Sequence, residues 1–300
     1  MIEQFLLLEG TNAGHWVAIF LALAAAALRA TFGALQKGKH DPWLSRGAMD
    51  LSYGLIALPF VIFVVPVPEP HMWSILFIAL VIHSIYKVLQ AWTYSRGAYT
   101  VVYPIVRGTS PVFTVVAAFF IFGEVFSLIQ ILGLISLLIG IFGLAFYNLK
   151  TIVIDRVSLG LALMLAVITG LFVAIYTTYD TYGIRSTYNP FTFIFWLFLL
   201  DGFFMPLIAY MRWSLVSEKP NLSGLVGRGI IGGIIAYFSF GSIMLATRLD
   251  DVGQASVMRE TSIIFAVLIG FLFLNENVGL LRLCLITLIA IGAIVVGVGA

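Results

Sequence analysis

Five polar residues, His83, Tyr86, Lys87, Gln90 and Tyr94, recur every three or four positions in a stretch otherwise built of Ile, Val, Leu and Ala. On an α-helix they share one face. A second set lies in a phrase that occurs twice, 152 residues apart. The first copy reads RGTSPVF from Arg107, with Glu124 after ten further residues; the second reads RETSIIF from Arg259, with Glu276 at the same distance. Two arginines can grip a carboxylate, phosphate or phosphonate through paired N–H donors. Lys87 adds a third cation. Glu260 replaces Gly108 in the second copy and, with Tyr86 and Gln90, offers contacts for an amino or hydroxyl group. Tyr103 precedes Arg107 by one turn, and Ser110 and Thr114 continue that stripe. The candidate binding set is therefore Arg107, Arg259, Glu260, Lys87, Tyr86, Gln90, Tyr103 and His83. Protonation of Glu260 or His83 would be a means of coupling to protons.

The elements that must position these groups are set by composition. Of 300 residues, 61% are hydrophobic and 10% charged, whereas a soluble domain carries roughly a quarter charged. The chain is an integral membrane protein. A net charge of +2, without a basic run, leaves no case for nucleic acid as a partner. The single Cys284 excludes a disulfide framework. The opening MIEQFLLLEG lacks a basic n-region and a small-residue cleavage site, so no cleaved signal peptide is expected. The expected setting is a bacterial inner membrane, with the lipid bilayer as partner.

A bilayer crossing takes roughly 20 apolar residues. Ten segments qualify: 15–36, 48–66, 71–92, 98–122, 127–147, 158–180, 190–211, 226–247, 252–274 and 278–299. They lack dyad alternation, which excludes a barrel, so the fold is all-α. Gapless alignment of 96–124 with 248–276 gives eight identities in 29 positions, marking an internal repeat. The units are 15–147 and 158–299. Five spans in each make the repeat an inverted one, the architecture of many secondary carriers. Lys and Arg in the connections count nine on one side (Lys37, Lys39, Arg46, Arg96, Lys150, Arg156, Arg212, Lys219, Arg228) against Arg185 and Arg248 on the side of the termini. That bias favours both termini outside the cytoplasm.

An ionisable group at mid-membrane depth costs roughly 2.5–3.5 kcal/mol, so each needs protein or water beside it. The His83–Tyr94 stripe either lines an interior cavity or joins a polar network between helices. Pro104 and Pro111 predict a kink beside Arg107. Arg259 has Glu260 as a structural alternative partner, while Asp180 or Asp201 would serve Arg107. Arg29, Asp50 and Asp180 are near enough to helix ends to snorkel. Tyr53, Tyr176, Thr177 and Asp201 complete the buried polar set. Glu124 and Glu276 end equivalent spans and are expected to cap or tie the helix that follows. Gly140 and Gly143 against Gly292 suit close helix packing.

No phosphate-binding glycine loop, zinc motif or nucleophile elbow is present, so no cofactor or metal is expected and an enzyme is disfavoured. Secondary transport of a small anionic or zwitterionic metabolite, as a monomer or homodimer, leads. A flippase for a lipid-linked anionic substrate is the alternative, since the same arginines would hold its headgroup.

The ten spans in two five-helix units, with Pro111–Phe113 followed by Gly123–Glu124 and a partner phrase ending at Glu276, resemble the EamA-type carriers of the drug/metabolite transporter superfamily. The likeness runs from about 15 to 299. It implies a central cavity walled by the first, third, fourth, sixth, eighth and ninth spans, and export of small polar metabolites by many members. Many members also carry basic residues at the start and between the second and third spans; this chain has none there.

Overall fold

The computed structural model describes residues 2–36, 41–96, 99–151, 156–216, 220–274 and 279–299. A short α1 (Ile2–Leu6) precedes α2 (Asn12–Gln36), α3 (Pro42–Phe63), α4 (Met72–Arg96), α5 (Tyr99–Phe122) and α6 (Leu128–Thr151). The second half holds α7 (Arg156–Arg185), α8 (Pro190–Asp201), α9 (Phe204–Trp213), α10 (Leu222–Leu249), α11 (Val252–Arg259), α12 (Ser262–Leu274) and α13 (Leu280–Val298). Among the described residues, ten spans are long and apolar enough to cross a membrane, the seventh built from α8 and α9 and the ninth from α11 and α12. The spans are as the composition requires, with edges that differ. α3 begins at Pro42 rather than 48, because Asp41 accepts from the Trp43 and Leu44 amides and Pro42 occupies the first turn.

Helix contacts come in matched pairs. α4 packs on α7 as α10 packs on α2; α5 packs on α7 as α11 and α12 pack on α2. The remaining spans meet their own counterparts, α6 on α13 and α3 on α8 and α9. Exchanging the halves returns the same contact pattern, which is the signature of a two-fold relation. Five spans per half make the two halves run in opposite senses.

At both self-paired crossings glycine faces glycine. A Cβ on Gly202 would stand 2.7 Å from the Gly54 Cα, and one on Gly292 would stand 2.5 Å from the Gly133 carbonyl oxygen. Small residues let backbones approach where lipid supplies no hydrophobic drive between helices. Gly292 thus pairs with Gly133, while Gly140 and Gly143 pack on Leu285 and Ile289. The expected three-glycine cluster does not form, because Gly292 meets α6 two to three turns nearer its start, at Gly133.

Apolar clusters lie on either side of a polar layer. One joins α2, α6, α11 and α13, another α3, α4 and α8. Every ionisable group in the layer between them is buried.

Candidate functional site

The polar layer separates into two groups. In the first, α5 and the junction of α11 and α12 bring Arg107, Glu260 and Arg259 together, all at most 2% exposed. One oxygen, Glu260 Oε1, serves both guanidinium groups: Arg107 Nη1 lies at 3.4 Å and Arg259 Nε at 3.5 Å. Arg259 also donates to the Thr177 hydroxyl at 3.3 Å and the Ser110 hydroxyl at 3.4 Å. The Arg107 guanidinium lies over the Tyr103 ring at 5.1 Å. Neither Arg107 Nε nor Glu260 Oε2 has a partner. The expected pairing of Arg107 with Asp180 or Asp201 is not made; Glu260, from the other half, takes that place.

The backbone at Glu260 is locally irregular. The ninth span breaks at Glu260 and Thr261. The Glu260 and Thr261 amides donate to Val257 and Met258, and the Ile263 and Ile264 amides to Glu260 and Thr261. These are three-residue bonds in place of the α-helical four, a local tightening of the kind found at hinges. The Thr261 hydroxyl closes a further bond to the Met258 carbonyl at 2.7 Å. α5 runs as one helix from Tyr99 to Phe122, with Pro104 and Pro111 inside it on either side of Arg107.

The second group centres on Lys87. Its ammonium is fully buried and sits 2.5 Å from Asp50 Oδ2 and 2.6 Å from Asp201 Oδ2. It also donates to the Tyr53 hydroxyl at 2.6 Å, and that hydroxyl donates to Asp201 at 2.6 Å. Arg46 holds the other Asp50 oxygen at 2.7 Å and donates to Gln90 Oε1 at 3.0 Å. Gln90 in turn donates to the Tyr86 hydroxyl at 2.8 Å, as does Arg29 at 3.2 Å. His83 pairs with Asp180 at 2.8 Å.

The helical stripe His83, Tyr86, Lys87 and Gln90 is therefore interior, as its spacing requires, and its members find partners on α2, α3, α7 and α8. Lys87 does not join Arg107 and Arg259, since two carboxylates and a tyrosine already saturate its three protons. Asp50, Asp180 and Arg29 do not snorkel; each is at most 7% exposed. Arg46, counted above among loop cations, is also interior.

Tyr86 and Tyr176 join the groups. Their rings lie 4.8 Å apart, and Tyr176 is also 4.8 Å from the His83 ring. Tyr176 is buried, its hydroxyl has no partner, and Arg29, Arg107 and Arg259 all act on it electrostatically. Small clefts flank this point, one lined by Tyr176, Thr177, Asp180 and Phe240, another by Arg46, His83, Asp201 and Phe240.

Four residues of the arginine centre stood outside the expected set: Arg29, Ser110, Tyr176 and Thr177. Arg29 had a legible signal. Ala18, Ala22, Ala25 and Ala26 form a buried stripe on α2, and Arg29 follows on the same face. Thr177 carried no comparable signal, since its role depends on where α7 crosses α11.

At the face that holds the termini, the halves are tied together. Both Glu124 oxygens accept backbone amides at the start of α11, from Val252 at 2.9 Å and Gly253 at 3.0 Å. Glu124 therefore caps a helix of the other half and not the one that follows it; Gly123, at φ 72°, makes the turn that aims it there. Burial raises the Glu124 carboxyl above the usual carboxylate range, outweighing the two amides that lower it. Beside it, Arg248 meets Glu9 at 2.6 Å and His15 meets Asp250 at 2.7 Å. Glu276 lies outside the described residues.

The model of the EamA-like transporter family matches residues 14–146 and again 160–298. A solved crystal structure shares the fold with a TM-score of 0.76 at 16% identity, covering 94% of this chain and 99% of its own. No curated protein matches the chain significantly in sequence.

Proposed function

Because the chain belongs to the EamA-like transporter family, and so is a multi-pass membrane transporter, we propose that its cargo is a small anionic metabolite moved by alternating access. The observation that carries this reading is a charge imbalance. Arg29 bonds Tyr86, and Arg107 and Arg259 share Glu260, the one carboxylate among the described groups that pairs with any of the three; the nearby Asp180 is paired with His83 and the two are counted apart. Three cations against one anion leave two positive charges in a buried site. The Lys87 group, by contrast, balances Arg46 and Lys87 against Asp50 and Asp201. An unpaired buried charge is expensive, and an anionic cargo relieves that cost. Tyr103, Tyr86 and Tyr176 supply ring faces and hydroxyls for the rest of the molecule.

The same geometry supports the alternating-access part of the reading. The arginines come from equivalent spans of opposite halves, so rocking one half against the other exposes the site to each side in turn. The Glu124 cap and the Arg248–Glu9 and His15–Asp250 pairs close the face of the termini and must part when that side opens. The Lys87 group is balanced and tightly bonded, and acts as the fixed wall of the site.

Purified protein in liposomes, offered labelled inorganic phosphate, succinate, L-glutamate and a neutral sugar, tests this. Uptake of at least one anion and not of the sugar is expected. Truncating one partner of a buried charge pair costs about 2–5 kcal/mol, so Arg107→Ala and Arg259→Ala should each cut uptake more than about tenfold in correctly inserted protein. Undiminished anion uptake in both variants overturns the reading.

A further inference from the structure

The arginine site holds an anion of its own. We propose that in the empty carrier the Glu260 carboxylate occupies the seat between Arg107 and Arg259 that the cargo's acidic group takes, and yields it when the cargo arrives. This rests on the anion-carrier reading above and assigns Glu260 a distinct part in it: an exchangeable stand-in, with no cargo contact required.

Four features separate Glu260 from an ordinary structural partner. Its contacts to the two arginines are 3.4 and 3.5 Å, whereas charge-assisted bonds run at roughly 2.7–2.9 Å. The other interior pairs meet that standard, with Arg46–Asp50 at 2.7 Å, Lys87–Asp201 at 2.6 Å and His83–Asp180 at 2.8 Å. Second, its one bonded oxygen is shared between two guanidinium groups, its other oxygen is unbonded, as are Asp180 Oδ1 and Asp201 Oδ1, and Arg107 Nε is a donor left unused. The seat therefore has capacity that a better-placed anion would fill. Third, Glu260 sits on the break between α11 and α12, where its carboxylate can move without disrupting a continuous helical ladder. Fourth, it comes from the second half and grips Arg107 of the first, so it holds the halves together only while the seat is otherwise empty.

The physical consequence is direct. Two bare arginines would resist closing away from water, because each would be a buried unpaired charge. A resident carboxylate lets the empty carrier close and reorient, and an arriving anion competes with it for the same donors.

The test compares wild type with Glu260→Gln, which keeps the side chain's shape and removes its charge. Melting of the purified proteins is followed in inorganic phosphate, then in succinate, at constant ionic strength. Over roughly a hundredfold rise in anion, Glu260→Gln should gain about 5 °C, and wild type should need at least about tenfold more anion for the same gain. Adding Arg107→Ala to Glu260→Gln should abolish the response. If Glu260→Gln does not fold, Glu260→Asp, whose carboxylate is too short to serve both arginines, should show the same sensitisation. Equal responses in wild type and variant, or none in the variant to either anion, overturn the proposal. These outcomes are separable from failure of the carrier reading. Uptake lost in Arg107→Ala with equal responses leaves the anion carrier standing and removes the stand-in; uptake unchanged in Arg107→Ala removes the carrier reading itself.

Discussion

The first aligned segment, 96–124, has two prolines within an unbroken helix; the second, 248–276, has none and its helix is broken. Successive residues on an α-helix point about 100° apart, so a residue beside an inward arginine faces elsewhere. Gly108 shows where: a Cβ there would meet Phe142 Cζ at 2.9 Å and Ile141 Cγ2 at 3.2 Å, on α6. An unbroken ninth span would by symmetry aim Glu260 at α13. At the break the Arg259 and Glu260 side chains nevertheless meet at one centre, with Glu260 Oε1 3.5 Å from Arg259 Nε and 3.4 Å from Arg107 Nη1. The lost helical bonds are replaced by tightened turns and the Thr261 hydroxyl, and the carboxylate gains two cationic partners. The halves thus share a scaffold but differ at the centre: the first supplies an arginine on an unbroken helix, the second an arginine and a carboxylate at a break between two helices.

The sharpest way to break this comparison is to write the second copy's residue into the first. Gly108→Glu forces a charged side chain against α6, adding about 1–3 kcal/mol of overpacking to roughly 2.5–3.5 kcal/mol for a charge at that depth. The variant is expected to disappear from the membrane fraction, and normal expression would show that position 108 can also turn inward. Next in size is Glu260→Ala, which leaves Arg107 and Arg259 without a carboxylate and should cost about 3–5 kcal/mol in thermal or denaturant unfolding in anion-free buffer.

Glu124→Ala removes the carboxylate by which the first copy's corner caps the second copy's helix, for a loss of about 1 kcal/mol. It also carries a pH signature. The folded pKa of Glu124 is raised, so the folded state binds more protons than the unfolded one between the unfolded value, near ~4.3, and the raised value. Wild type should therefore gain stability from this group as pH falls through that window, and Glu124→Gln should lack the gain. The smallest difference separates the threonines of the two copies. Thr261→Ala loses a bond that holds the break and should cost about 1 kcal/mol. Thr109→Ala should cost less, because the Ile105 carbonyl its hydroxyl meets lies within an intact helix. Equal melting of the two variants would argue that the break needs no such support.

Much of the fold was legible because the bilayer admits few solutions. Ten apolar runs imply ten helices, and an odd number per repeat implies inversion. The interior stripe on α4 was readable for the same reason, since a lysine and a histidine cannot face lipid. The family resemblance placed the same helices around a centre. Partner choice was not legible. Nothing near Lys87 in the chain points to Asp50 and Asp201, which lie 37 and 114 residues away, and nothing near Glu124 points to the amides of Val252 and Gly253.

The sequence by itself determined the number of spans, their repeat, and which side chains must avoid lipid, because transfer of charge and backbone into hydrocarbon is a local cost that each segment incurs alone. Only the tertiary structure decided which buried charges neutralise one another. That choice rests on distances across helices from opposite halves, and on the place of Glu260, at the break between α11 and α12, within reach of two arginines.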